Sequence, residues 1–339
     1  MKIGTVSGWW STNIGNSFFQ LAAEFILRKS GHQIISIPDF PGYYNVKTGN
    51  PKFSLDILSK LDLDWIVLHG PIFRKEYDRI VFDEIRKFKS NGGKIACLSA
   101  GMMHYDKNTM TYYKRWLEEV PFDFITTRDL ASYEFLKYVN PAVYNGIDIA
   151  FFCNELYPKV KLDRAPFVVF NFDQINEPYI EPSIGHSDFF WRGEKFQIRH
   201  WQKDEPKTIL NKLKPFYMAF IRNSYQEKFN DLDIIRTDHR FNPYLSRKIY
   251  KAPNSFSSDV PFGYFLLYGN SIVTFTNRVH ACVATLSYGN EAMYFSNSKR
   301  AGLLERVGLK SIYDQPASLD VDYLQSEKSM LLDFIFNSL

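Results

Sequence analysis

The hexapeptide Thr276-Asn277-Arg278-Val279-His280-Ala281 sets two reactive side chains one residue apart. Arginine offers a planar, permanently charged fork that grips carboxylate or phosphate, and histidine moves a proton near neutral pH. The run before them, Ser271–Phe275, is strand-like, and Val279, Cys282, Val283 and Leu286 after them have helical spacing. Arg278 and His280 are therefore expected on the first turn of a helix at the carboxyl end of a strand. Free backbone N–H groups and the helix dipole favour an anion there. The pattern reads as an anion clamp beside a proton carrier, with Asn277 next to it. A capped helix with a surface Arg and a packed His would give the same spacing.

The elements that must position this pair follow from periodicity. Residues 1–150 alternate short apolar strands (Ile3–Val6, Gln33–Ile37, Asp64–Leu68, Lys94–Leu98, Phe124–Thr127, Ala142–Asn145) with helical segments. Those segments are Ser17–Lys29, Tyr77–Lys89, Thr111–Glu119 and Ala131–Val139. Continuous apolar strands separated by helices mean a parallel sheet covered on both faces. Asn154–Pro166, with two prolines and mixed charge, reads as a linker. A second alternation follows, with strands Phe167–Phe172, Tyr217–Ile221, Leu232–Arg236, Ile272–Phe275 and Ala292–Phe295. Its helices are Lys207–Leu213, Pro261–Tyr268, Arg278–Tyr288 and Ala301–Val307, and Val321–Leu339 closes the chain as a helix. The expected architecture is α/β. Two Rossmann-like doubly wound domains, 1–154 and 166–320, face a central cleft in the manner of a GT-B fold, with a C-terminal helix over 321–339.

Ligands of such sheets bind beyond the carboxyl ends of the strands. In this chain those ends hold Asn13, Gly15 and Asn16, then His69, Gly101, Arg128 and Asp148 from the first half. The second half contributes Asn171–Asp173, Arg222, Arg278–His280 and Ser296–Arg300. Glycines at these ends also shape ordinary strand-to-helix turns.

Composition narrows the classes. Hydrophobic content of 45% and charged content of 23% belong to a folded soluble protein. The 30 Phe, 21 Tyr and 6 Trp suffice for two cores and an aromatic sugar-binding surface. A formal charge of +4, without a helix-turn-helix, finger or RNP-like pattern, argues against nucleic acid. Cys97, Cys153 and Cys282 are sparse and widely spaced, and the chain enters Lys2–Val6 without a signal-like apolar run. A cytoplasmic location is expected. The seven histidines have no ligand spacing, so no metal is expected.

Five segments, in order, resemble the polysaccharide pyruvyl transferase family. Asn13-Ile14-Gly15-Asn16-Ser17 is similar to its N-x-G-[DN] loop, and Gly93–Gly101 to its second glycine-ended strand. Thr127–Leu136 is similar to R-D-x-x-S-x-x-x-L, and Asp148-Ile149-Ala150-Phe151 to D-x-A-F. Arg278-Val279-His280-Ala281, with Gly289, Lys299 and Leu303-Leu304 beyond it, is similar to the R-[LV]-H-[AG] region. The chain departs in having Asn16 where Asp is frequent, no Arg in Phe170–Asp173, and Gly289-Asn290-Glu291 in place of Gly-x-Pro.

The resemblance implies transfer of a pyruvyl group from phosphoenolpyruvate to paired sugar hydroxyls, forming a ketal in cell-envelope or exopolysaccharide assembly. No cofactor is implied. Arg278 would hold the donor's carboxylate or phosphate, His280 would act as acid or base, and Lys299 or Arg300 would meet the departing phosphate. The second lobe would take the donor and the first a saccharide or lipid-linked saccharide acceptor. A nucleotide-sugar glycosyltransferase on the same scaffold is the alternative, and there Glu291 would meet a ribose hydroxyl. A non-catalytic glycan-binding relative is a third reading. Finally, Phe189–Lys203 packs Trp191, Trp201 and three Phe among four cations. It is expected at the cleft, contacting the acceptor and the membrane face that carries it, unless its aromatics are core.

Overall fold

Two six-stranded sheets frame the computed structural model. The structure describes residues 1–8, 10, 13–38, 60–73, 81–102, 104–173, 175, 177–199, 226–240, 254–296 and 298–339. The first half runs β1 (Lys2–Ser7), α1 (Gly15–Lys29), β2 (Gln33–Pro38), β3 (Trp65–His69), α2 (Val81–Ser90), β4 (Lys94–Ala100), α3 (Lys107–Glu119), β5 (Phe124–Thr127), α4 (Leu130–Leu136) and β6 (Val143–Asn145). Its strands lie in the order β2-β1-β3-β4-β5-β6, all parallel. A 3₁₀ turn, Ile149–Phe152, and the short α5 (Cys153–Leu156) lead out of it.

The second half opens with β7 (Phe167–Asn171) and a separate antiparallel sheet of β8 (Tyr179–Pro182), β9 (Phe189–Trp191) and β10 (Glu194–Arg199). Then come β11 (Lys228–Phe229), β12 (Leu232–Thr237), β13 (Ser255–Phe256), α6 (Phe262–Asn270), β14 (Val273–Thr276), α7 (Val279–Ser287) and β15 (Glu291–Tyr294). The main sheet has the order β11-β12-β7-β14-β15, with β13 beside β12 and only β11 antiparallel. The chain ends with α8 (Gly302–Arg306) and α9 (Val321–Ser338). The segments expected at Lys207–Leu213 and Tyr217–Ile221 lie outside the described residues.

Strand alternation explains the packing. In β7, Phe167 and Val169 point to one face while Val168 and Phe170 point to the other, and all four are buried. The first face joins a single apolar core shared by both sheets, to which α1 contributes Phe18 and Ala22 and α7 contributes Cys282 and Val283. This core runs on through Phe151 and Phe152 to Leu331 and Ile335 of α9. α9 returns to the first sheet, where Phe334 stacks on Tyr144 at 4.7 Å and the buried Lys328 reaches Glu155 at 3.1 Å. No helix among the described residues is long and apolar enough to cross a membrane.

The aromatic stretch corrects one expectation. Trp191 does not face a cleft, because alternation along β9 and β10 turns Phe189, Trp191 and Phe196 inward together. They cover the far face of the second sheet, against Phe275 and Met293. Trp191 is 4% exposed, and its Nε1 donates to Glu291 Oε2 at 2.9 Å. Phe190, between them, points outward. Trp201 lies outside the described residues. Trp191→Ala should therefore cost about 3–5 kcal/mol in a denaturation experiment, whereas Phe190→Ala should stay within about 0.5 kcal/mol. Equal effects would mean that Trp191 is not a core residue.

Candidate active site between the two sheets

Strand order creates the crevice. From β1 the first sheet continues to β2 on one side and β3 on the other, and from β7 the second continues to β12 and β14. Chain connections diverge at such points, leaving room beyond the carboxyl ends. A pocket lies there, lined by Asn13, Asn16 and Arg128 from the first half and by Asn277, Arg278 and His280 from the second. Phe19, Pro71, His239, Tyr294 and Arg300 complete much of its wall.

Arg278 is the N-cap residue of α7, with extended φ and ψ of −109° and 114°. Its backbone N–H donates to Thr276 Oγ1 at 2.9 Å, which sets the entry into the helix. Its side chain is held by Asp173, Nε to Oδ1 at 2.5 Å, and that carboxylate is almost wholly buried. Asn277 ties the two strand ends together, its N–H donating to Asn171 O at 3.1 Å.

His280 stands on the first turn of α7 with its ring against Phe19, centroids 5.2 Å apart. Its Nε2 is 3.5 Å from Asp148 Oδ2, an ion-pair distance rather than a short hydrogen bond. The same oxygen accepts from Arg128 Nη1 at 3.2 Å, and Asp148 Oδ1 accepts the Ala150 N–H at 2.9 Å. Burial pushes the Asp148 carboxyl up, but His280, Arg128 and the Ala150 N–H together outweigh it, so its pKa lies below the ordinary value. Asp148 is consequently an anion at neutral pH.

The Arg128 guanidinium needs a glycine beneath it. A Cβ on Gly101 would stand 2.5 Å from Arg128 Nε. The approach is prepared by β4, whose register with β5 slips between Cys97 and Ala100 and whose Ser99 takes a φ of 52°. Ser99 Oγ accepts the Ile149 N–H at 2.7 Å, anchoring the turn that carries Asp148. Gly15 has a like role at the other wall. A Cβ there would lie 3.0 Å from His239 Nδ1 and 3.2 Å from His280 Cβ, so glycine lets α1 begin between two imidazoles. Asn13 organises this loop, accepting from Gly15 N–H and donating to Asn16 Oδ1, both at 3.2 Å.

Other candidates lie elsewhere. His69 does not line the pocket. It is buried behind Phe19, its Nε2 is 3.1 Å from Thr5 Oγ1, and burial lowers its pKa to about 4. Glu291 is the first residue of β15 whereas the pocket residue Tyr294 is the last, so about 10 Å of strand separates them. Its carboxylate is tied to Trp191 and lies 3.6 Å from Arg192. Lys299 is exposed outside the pocket wall, next to Arg300. Arg222 lies outside the described residues. Three Asp-x-Asp pairs occur in the sequence (62/64, 231/233, 320/322), and none lines the pocket. Asp62 and Asp64 bind Lys2, Asp233 faces Arg164, and Asp320 caps α9.

Sequence reasoning passed over Asp238 and His239, although they follow β12 as Arg278 follows β14. Position after a strand was the available signal. His239 N–H donates to Asp173 Oδ2 at 2.9 Å, and its C=O accepts Ile14 N–H at 2.7 Å, joining the halves. Asp238 is 1% exposed and accepts from Ser257 Oγ at 3.1 Å. Burial and the charge of Asp173 raise its pKa to about 7, against the opposing pull of Ser257 and Arg278.

The polysaccharide pyruvyl transferase family model matches residues 13–299. No curated protein sequence matches the chain. Among solved structures it is similar to the S. aureus MnaA–UDP co-structure, at 13% identity and a TM-score of 0.54, covering 98% of this chain and 88% of that one. It is also similar to the UDP-GlcNAc 2-epimerase from Neisseria meningitidis bound to UDP-GlcNAc, at 12% identity and a TM-score of 0.50, covering 100% and 94%. The UDP-GlcNAc 2-epimerase from Methanocaldococcus jannaschii gives 12%, 0.50, 98% and 93%. At these identities the likeness establishes the fold, which is GT-B-like.

Asp238 makes the pH dependence of stability specific. Its folded pKa exceeds that of a carboxyl in the unfolded chain, so its contribution is complete below about pH 4 and is lost as pH rises through 7. Asp238→Asn should show a melting-temperature gain over wild type that grows between about pH 4 and 7 and then levels off. A gain that is constant with pH would refute the buried, protonated carboxyl.

Proposed function

The chain belongs to the polysaccharide pyruvyl transferase family, and on that premise we propose that it moves the pyruvyl group of phosphoenolpyruvate onto two hydroxyls of a saccharide. One observation carries this reading. A single pocket collects Arg128 from one sheet and Arg278 and Arg300 from the other around His280. Such a set suits a small donor bearing both a carboxylate and a phosphate.

The reaction adds a proton to the methylene carbon of the enol phosphate, which leaves positive charge at the neighbouring carbon. A sugar hydroxyl attacks that carbon and gives up its proton. The C–O bond to phosphate then breaks, and a second hydroxyl closes the ketal, its proton leaving with phosphate. His280 is placed to carry the proton, because Asp148 behind it stabilises the imidazolium. Arg278, already oriented by Asp173, binds the donor's carboxylate, and Arg300 at the pocket mouth neutralises the departing phosphate. Asn13 and Asn16 offer polar groups to the acceptor from the facing wall. The acceptor is a saccharide, free or lipid-linked, and the reaction belongs to envelope polysaccharide assembly in the cytoplasm.

Inorganic phosphate should appear in step with acceptor modification and without added divalent metal. Release of a nucleoside diphosphate from a nucleotide-sugar would sink the proposal. His280→Ala should lower kcat by roughly 10²–10⁴-fold with the fold retained. Arg278→Lys, which keeps charge but loses the fork, should also lose most activity. Near-normal rates in either variant would remove these residues from the chemistry.

A further inference from the structure

His239 meets the pocket by an edge that its own hydrogen bonds have specified. Its Nε2 stands 2.6 Å from the Tyr268 hydroxyl, and that oxygen accepts the side-chain amide of Asn171 at 2.8 Å. A phenol has one proton to give. With its oxygen accepting from Asn171, Tyr268 has its own proton available for Nε2, and a neutral imidazole that accepts there carries its proton on Nδ1. The ring is kept neutral. It is 1% exposed, and burial, followed by the charges of Arg278 and His280, holds its pKa well below the usual value. The acidic group nearby does not reverse this, since the buried Asp173 is paired with Arg278 and accepts the backbone N–H of His239.

The Nδ1 edge faces Gly15, where an added Cβ would stand 3.0 Å from Nδ1 and 3.2 Å from Asn13 Oδ1, and His239 lines the pocket together with Asn13 and Asn16. The ring itself is fixed edge-on against Phe18 at 5.4 Å and Tyr264 at 5.6 Å. An imidazole that presented a lone pair here would repel an anion, whereas an N–H attracts one without adding a further full charge beside Arg278.

We propose that His239 is a specificity-determining residue of this pocket, a neutral Nδ1–H donor to an anionic carboxylate or phosphate oxygen of the donor molecule. The inference rests on the reading that the pocket holds the anionic donor. It assigns His239 to recognition and His280 to proton transfer, although both are buried histidines.

Side-chain ¹⁵N NMR of the full chain between pH 6 and 8 tests it directly. The expected result is a His239 ring protonated on Nδ1, bare on Nε2 and not titrating, whose Nδ1 signal shifts on adding phosphoenolpyruvate. Inorganic phosphate and pyruvate, added separately, identify which oxygen it meets. In kinetics, His239→Ala should raise the donor KM roughly tenfold or more with kcat little changed, as for loss of a hydrogen bond to a charged partner. His239→Asn, whose amide can place an N–H near Nδ1, should restore most of it. A proton on Nε2, a ring titrating near pH 6.5, or phosphoenolpyruvate that binds and leaves the Nδ1 signal unmoved would each overturn the proposal. Should a nucleotide-sugar bind in its place, the pyruvyl reading fails. His239 is then judged separately, supported if that diphosphate shifts Nδ1 and refuted if it does not.

Discussion

A carboxylate with no exposure to solvent anchors the candidate site. Asp148 is an anion at the end of the first sheet, and an unpaired charge there would cost several kcal/mol. The structure balances it with Arg128 from its own sheet and sets His280 Nε2 from the other 3.5 Å away. Asp173 and Arg278 repeat the arrangement wholly within the second half. Each cation is therefore aimed before any ligand arrives. Removing either carboxylate would leave a buried cation unbalanced, which couples the electrostatics of the pocket to the integrity of the fold.

That coupling needs two sheets held in one register, and apolar packing supplies it. α1 begins at the pocket with Gly15 and runs away through Phe18 and Ala22 into a core that α7 enters from the other side. The rings of His69, Phe19 and His280 form a row in which the buried, neutral His69 backs the aromatic that supports His280. α9 crosses back to the first sheet and closes the far end of the same core. Donors set in such packing reorganise little during reaction, which is what electrostatic stabilisation requires.

Similarity to UDP-sugar enzymes at 12–13% identity places the chain in a fold that supports several chemistries. What separates the chemistries is the set of side chains at the strand ends. Glu291, the residue that would have met a ribose, sits at the wrong end of its strand and is bound to Trp191.

The sequence by itself determined the six strands of the first sheet, the central strands of the second and much of the site's membership, but not the small antiparallel sheet of β8, β9 and β10. Periodicity marked the parallel strands at the centre of both sheets, and a strand running into helical spacing placed Arg278 and His280 at one turn. The same rule collected Asn13, Asn16, Arg128 and Asp148, because in a parallel sheet all carboxyl ends open to one side. Only the tertiary structure decided who partners whom. Asp173 lies 105 residues from Arg278, and no local rule links them. His239 and Asp238 carried the same positional signal as Arg278, but their chemistry comes from burial beside Tyr268 and Asp173. Trp191 and His69 lie away from the pocket for a related reason. Residue type tells what a side chain could do, whereas the face of the strand and the ring packed over it decide whether it reaches a ligand. Those are long-range properties of packing, and they exist only once the two sheets have closed on a common core.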